Sequence, residues 1–119
     1  MTEWAWVDPA AVIAWNAEFG GSILNENSVL SALARPANLL AYGNADVADL
    51  AAAYAFGLVQ NHGFVDGNKR TAWVTARAFL NANGYRPDCS DEEAVELMVA
   101  LAEHKLSESQ VAQWFRKRS

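Results

Sequence analysis

Between Asn61 and Trp73 the chain reads NHGFVDGNKRTAW, and the positions His62 to Arg70 hold a histidine, an aspartate, two glycines, an asparagine, a lysine and an arginine. These residue types suit transfer of a phosphate group. A histidine that titrates near neutrality can take the proton from an attacking hydroxyl, which makes His62 the candidate general base. A phosphate chain usually travels with Mg²⁺, which takes an oxygen or two from the protein and completes its shell with phosphate oxygens and water, so Asp66 is the candidate metal ligand. Gly67 suits a backbone that comes close to a phosphate or adopts positive φ. Asn68, Lys69 and Arg70 then offer one neutral and two cationic groups to phosphate oxygens, lysine as a point charge and arginine as a planar fork. Phe64 is expected to anchor the loop in the core. Taken singly, each residue has a bland explanation as a turn, a cap or a hydrogen-bonded histidine; the combination in one short window favours a site.

The elements that must position this loop are helices. Apolar residues recur at spacings of three and four without sustained alternation, which predicts an all-α fold of about six helices. Asp8 with Pro9 starts a helix that Gly20-Gly21 stops. A second helix is expected over Asn27 to Ala34, ending before Pro36, with PANLLAYGNAD as a connector. An alanine-rich helix from Asp46 to Asn61 carries Val47, Leu50, Ala51, Tyr54 and Leu58, and its small residues predict a central, buried position. The next spans Asn68 to Ala82, with Ala72, Trp73, Ala76, Phe79 and Leu80 inward and Gly84 at its end. The loop of interest therefore joins two central helices, at a helix N-terminus whose free N–H groups attract anions. Ser90 with Glu93 and Ser107 with Gln110 fit the capping box, starting helices that should bury Val95, Leu97, Met98 and Leu101, then Val111, Trp114 and Phe115.

Bulk properties narrow the classes. A chain of 119 residues is expected to form one domain, 1–119. Its net charge of −5 and pI near 4.9 argue against wrapping a phosphate backbone, so no direct nucleic-acid partner is expected. The basic tail Arg116, Lys117, Arg118 is read as a complement to a helix dipole. Cys89 is alone, which excludes an intrachain disulfide and makes a structural zinc site implausible. The N-terminal stretch has no basic leader before an apolar core, and no segment is apolar enough to span a bilayer; the expectation is a cytoplasmic protein without a membrane partner.

At the loop the sequence resembles the Fic/Doc family, whose motif is H-P-F-x-D/E-A/G-N-G/K-R between two helices. Here it stands as His62-Gly63-Phe64-Val65-Asp66-Gly67-Asn68-Lys69-Arg70, fitting eight of nine positions. Gly20-Gly21, LSALARP at Leu30 to Pro36, and KRTAWVTARAFLNANGY extend the likeness to the Doc-like, or death-on-curing, branch over nearly the whole chain. The resemblance implies a compact Fic fold and transfer of part of a nucleotide triphosphate to a protein hydroxyl, with ATP and Mg²⁺ required. Most Fic proteins transfer AMP and carry glycine at the position of Lys69. Doc-type toxins carry lysine there and are understood to transfer the γ-phosphate, acting as kinases on a threonine of elongation factor Tu. Their inhibitor is an antitoxin of the Phd type, whose disordered C-terminal segment folds against the toxin. The resemblance thus implies His62 as base, Asp66 as Mg²⁺ ligand, and Gly67, Asn68, Lys69 and Arg70 as the phosphate clamp. AMP-transferring members commonly have a further arginine where this chain has Trp73, and a lysine in the anion pocket would reposition the triphosphate; both favour the kinase. AMP transfer, or a catalytically silent binding module, are the alternatives.

Two departures are notable. Gly63 stands where proline is common, so the loop backbone is expected to be less constrained. Ser22-Ile23-Leu24-Asn25-Glu26-Asn27 satisfies the short self-inhibitory pattern of the family; it is read as a chance match, though an operative one would pair Glu26 with Arg70. Arg77, one heptad beyond Arg70, and Arg35, beside Pro36, are candidates for supporting the site. His104 is read as a surface residue. Trp4, Trp6 and Trp15 are assigned to the core, with Trp4 and Trp6 as a possible docking surface for an antitoxin.

Overall fold

Local signals start most of the helices. In the structure, a computed structural model that describes residues 3–119, Asp8 caps α1 (Pro9–Glu18) by accepting from the Ala10 amide. Asn25 does the same for α2 (Glu26–Tyr42) through the Ser28 amide. Asp46 with Asp49, Ser90 with Glu93 and Ser107 with Gln110 form full capping boxes on α3 (Val47–Asn61), α5 (Asp91–Ala102) and α6 (Glu108–Arg118). Helix α4 (Asn68–Ala82) ends at Asn83, and Gly84 follows with φ 88°, a conformation in which a side chain would be strained. The remaining regular pairing among the described residues is an isolated antiparallel bridge between Ile23 and Phe64. The fold is all-helical, as the periodicity requires.

Helix α3 is the axis of the molecule. Ala51, Ala52, Ala53 and Ala55 are fully buried, and their small side chains let α2, α4, α5 and α6 all pack against one helix. Leu50, Tyr54 and Leu58 supply the volume between them, and burial of each leucine stabilises the fold by roughly 1.5–3 kcal/mol. Tyr54 packs on Phe79 of α4 with ring centroids 5.3 Å apart and accepts a hydrogen bond from the Val7 amide at 3.1 Å, tying the N-terminal segment to the core. Trp4 is half-buried, whereas Trp6, assigned to the core from the sequence, is 42 % exposed; both rings lean on Phe79, at 6.1 and 5.8 Å.

Helix α2 corrects an expectation. It does not stop at Ala34 but runs through Pro36 to Tyr42, leaving Gly43 to Asp46 as the connector. A proline inside a helix loses one backbone hydrogen bond and costs about 3 kcal/mol. Pro36 is buried on the face that packs against α3, together with Val29, Ala32 and Leu33, and this packing outweighs the local penalty. The approach is close: a Cβ on Gly57 of α3 would lie 2.8 Å from Arg35 Cδ and 3.2 Å from the Ala32 carbonyl oxygen.

The basic tail is largely tied into the fold. Arg116 binds Asp46 at 2.9 Å and Asp49 at 3.1 Å, holding α6 to the start of α3 and lowering the Asp46 carboxyl to about 2. Arg118 stacks over Trp114 at 4.2 Å and pairs with Glu93 at 3.3 Å, fastening α6 to α5. Trp73 lies parallel to Phe115 at 6.1 Å and edge-on to Trp114, so α4 and α6 meet through aromatic rings. Burial pushes the Cys89 thiol up, away from the reactive thiolate form. Val95 is the second correction: it is 61 % exposed, not buried, because α5 turns that side toward an open cleft. No helix among the described residues is long and apolar enough to cross a membrane.

Candidate active site

The loop from His62 to Gly67 reverses the chain between α3 and α4. His62 ends α3 in the left-handed conformation, φ 48° and ψ 50°. Phe64 follows as a buried plug, 1 % exposed, and leaves its neighbours Val65 and Asp66 at the surface. The backbone is held from outside by the segment after α1: Gly63 O accepts from the amides of Leu24 at 2.9 Å and Asn25 at 3.0 Å, and Val65 N donates to Ser22 O at 2.9 Å. From inside it is held by Asn68, whose Oδ1 accepts from Phe64 N at 3.1 Å while Nδ2 donates to Phe64 O at 2.9 Å. The same Nδ2 lies 3.4 Å from His62 Nδ1 and orients the imidazole. Asn68 is thus a buried brace of the loop, and what it can offer an anion is its backbone N–H.

Gly63 is not a point of slack. A Cβ there would fall 2.6 Å from Val29 Cγ2 and 2.9 Å from Val29 N, so the first turn of α2 comes too near for any side chain. The loop is constrained by its hydrogen bonds and by this packing, in place of the proline ring that the family pattern usually has.

Gly67, at φ 76°, precedes α4 without a side-chain cap, leaving the first N–H groups of the helix for another acceptor. Those groups and the positive end of the helix dipole suit an anion, and the exposed Lys69 and Arg70 stand in the first turn of α4. The Arg70 guanidinium lies 4.1 Å above the ring of Phe19, at the end of α1. Asp66 accepts from Gly67 N at 2.8 Å through Oδ1. Its backbone oxygen accepts from Asn16 Nδ2 at 2.9 Å.

These groups line a cleft of about 860 Å³ whose other wall is α5. His62, Asp66, Lys69 and Arg70 bring polar groups from the motif side, and α5 contributes the apolar Ala94, Val95, Met98 and Val99, with Asp91 at its start and His104 beyond its end. A volume of this size, with basic groups at the α4 start and an apolar stretch on α5, suits a nucleotide. Among the described residues no three or more His, Cys, Asp or Glu side chains cluster as a metal cage. Asp66, a carboxylate next to the start of α4, fits Mg²⁺, which takes its remaining ligands from phosphate and water.

The other candidates fall elsewhere. Arg35 pairs with Glu108 of α6 and lies over the Phe56 ring at 5.4 Å, on a part of the molecule that does not line the cleft. Arg77 is exposed and is likewise not part of its lining. Glu26 is exposed at the start of α2, and Arg70 is engaged by Phe19, so the pairing of Glu26 with Arg70 that self-inhibition would require is not formed. His104, read as a surface residue, is exposed but lines the cleft, with φ 60°. Asn16 and Phe19 touch the motif from behind and went unrecognised in the sequence. The available signal was a lone asparagine on the apolar stripe of α1, 1 % exposed in the fold.

Comparison with known proteins agrees with this architecture. Over 56 aligned residues the chain is 46 % identical to Toxin Doc of Mycolicibacterium smegmatis (strain ATCC 700084 / mc(2)155), a match covering 45 % of this chain and 43 % of that protein. The chain therefore matches less than half the length of this curated relative. The model of the Fic/DOC family matches residues 6–80, from the N-terminal segment through the motif loop into α4. With more than half of its length matched by that model, and the motif loop seated between two packed helices, the chain belongs to the Fic/DOC family.

Proposed function

We propose that this protein is the toxin of a toxin–antitoxin pair, acting as one domain over residues 1–119. On this reading it is an ATP-dependent protein kinase of the Doc type that phosphorylates a hydroxyl of a translation factor, elongation factor Tu, in the cytoplasm. A Phd-type antitoxin would hold it inactive. The observation that carries the reading is the meeting, in one cleft, of an imidazole, a carboxylate and an uncapped helix start bearing lysine and arginine.

The triphosphate is held by the N–H groups at the start of α4 and by Lys69 and Arg70. Asp66 would hold Mg²⁺, which neutralises charge on the phosphate oxygens when bound. His62 accepts the proton of the target hydroxyl as its oxygen bonds to the γ-phosphorus and the bond to the ADP oxygen breaks, giving a phosphoester and ADP. Lys69 adds a charge and a long chain to the anion pocket where AMP-transferring relatives have glycine, which supports transfer from the γ end.

Induction of the wild-type chain without antitoxin is expected to arrest bacterial growth, and His62→Ala is expected to abolish the arrest. Because His62 is exposed and alanine places the same Cβ on its left-handed backbone, the substitution gives up mainly the side-chain contact with Asn68 and should leave the fold intact. A folded His62→Ala variant that still arrests growth refutes the assignment.

A further inference from the structure

We infer that the C-terminal end of α1 is the positioning element of the phosphate site, with Asn16 setting Asp66 for its cation and Phe19 setting Arg70 for its anion. The inference rests on the reading of the cleft as a Mg²⁺–ATP site and assigns work to residues outside the motif.

Asn16 is 1 % exposed on a helix whose buried neighbour Val12 is apolar. A buried amide is stabilising only when hydrogen-bonded, and a residue there for packing alone would be apolar. Its Nδ2 donates to Asp66 O at 2.9 Å and to Thr71 Oγ1 at 3.1 Å. One side chain therefore joins α1, the motif loop and the first turn of α4. The backbone of Asp66 is fixed from behind, while its carboxylate is fixed from the front by the Gly67 amide.

The chain is built to let this amide through. A Cβ on Gly21 would stand 2.3 Å from Asn16 Oδ1 and 2.6 Å from Asp66 O, so the segment leaving α1 can pass the junction only as glycine. A Cβ on Gly67 would stand 3.2 Å from Asn16 Nδ2. Three residues beyond Asn16, the Phe19 ring carries the Arg70 guanidinium at 4.1 Å and limits where that fork can point. Pre-set orientation of this kind is how residues behind a metal ligand govern its affinity.

The test is calorimetric binding of ATP to the full chain across a Mg²⁺ series, which needs no transfer activity. Asn16→Ala should raise the Mg²⁺ concentration for half-maximal ATP binding about tenfold, with ATP affinity recovered at saturating Mg²⁺. Thr71→Val, nearly isosteric and lacking only the hydroxyl, should move the midpoint the same way by about threefold, and Thr71→Ser should restore it. Phe19→Leu should weaken ATP about threefold at every Mg²⁺ concentration without moving the midpoint. Folding of each variant is checked by its unfolding transition; should Asn16→Ala not fold, the Thr71 pair decides. Wild-type midpoints in the folded Asn16 and Thr71 variants, or wild-type ATP affinity in folded Phe19→Leu, overturn the inference while leaving the site reading intact. A wild-type protein that binds no Mg²⁺–ATP removes both.

Discussion

Restoring the family's usual proline at position 63 should harm this protein. Replacement of glycine by alanine or proline at a compatible position stabilises by about 0.4–1 kcal/mol through the unfolded state. Position 63 is not compatible. A Cβ there meets Val29 Cγ2 at 2.6 Å, Val29 N at 2.9 Å and Asn25 O at 3.3 Å. Carbon contacts are comfortable at about 3.5–4.0 Å, so the first turn of α2 would have to retreat by about 1 Å. That turn is fixed by the Asn25 cap and by the hydrogen bonds from Leu24 and Asn25 to Gly63 O, so the strain is not easily relieved. Overpacking of this kind costs about 1–3 kcal/mol, and Gly63→Ala should destabilise by that amount, with Gly63→Pro at least as damaging. For a domain of this size the loss corresponds to a Tm lowered by about 4–12 °C. Val29→Ala removes the Cγ2 contact but not the backbone one. In a double-mutant cycle followed by urea unfolding, the Gly63→Ala and Val29→Ala pair should be less destabilising than the sum of the singles by about 1 kcal/mol. A Gly63→Ala protein as stable as wild type, or an additive cycle, would refute the packing account of this glycine.

Two further outcomes follow from the loop and from the α3–α6 contact. Asn68→Ala removes both hydrogen bonds to the Phe64 backbone and leaves a buried amide without its acceptor, so unfolding free energy should drop by about 2–4 kcal/mol and the Phe64 amide should exchange faster with deuterium. Arg116 holds the Asp46 carboxyl down to about 2, below its ordinary value of 3.8; the resulting stability is present at neutral pH and is lost as pH falls from about 4 toward about 2. Because the side chains of Asp46 and Arg116 are 52 % and 39 % exposed, the contribution stays under about 1 kcal/mol. Arg116→Gln should flatten that part of the stability profile, and an unchanged acid limb in urea titrations would dismiss the contact as an acid-sensitive one.

What the sequence disclosed was local. Asp8, Ser90 with Glu93, and Ser107 with Gln110 announce their helices because a cap and its partner lie within one turn. The alanine run of α3 betrays its central place because only small residues admit neighbours on every side. What stayed hidden depended on distant partners. Pro36 reads as a helix end until its burial against α3 is seen. Asn68 reads as a phosphate ligand, yet its amide is closed on Phe64. Arg35 reads as a site cation, and its partner Glu108 lies in α6. Val95 belongs to an apolar pattern that predicts core, but the helix presents it to the cleft. Asn16 is the sharpest case, since an asparagine among apolar residues signals a buried partner without naming Asp66, fifty positions away.

The central claim is that this cleft moves the γ-phosphate of ATP to a protein hydroxyl. Purified protein incubated with bacterial extract and ATP, labelled in parallel at the γ or the α position, tests it most directly. The account predicts protein-bound label from γ-labelled ATP alone, lost in His62→Ala; label carried only from the α position would contradict it and make the chain an AMP transferase.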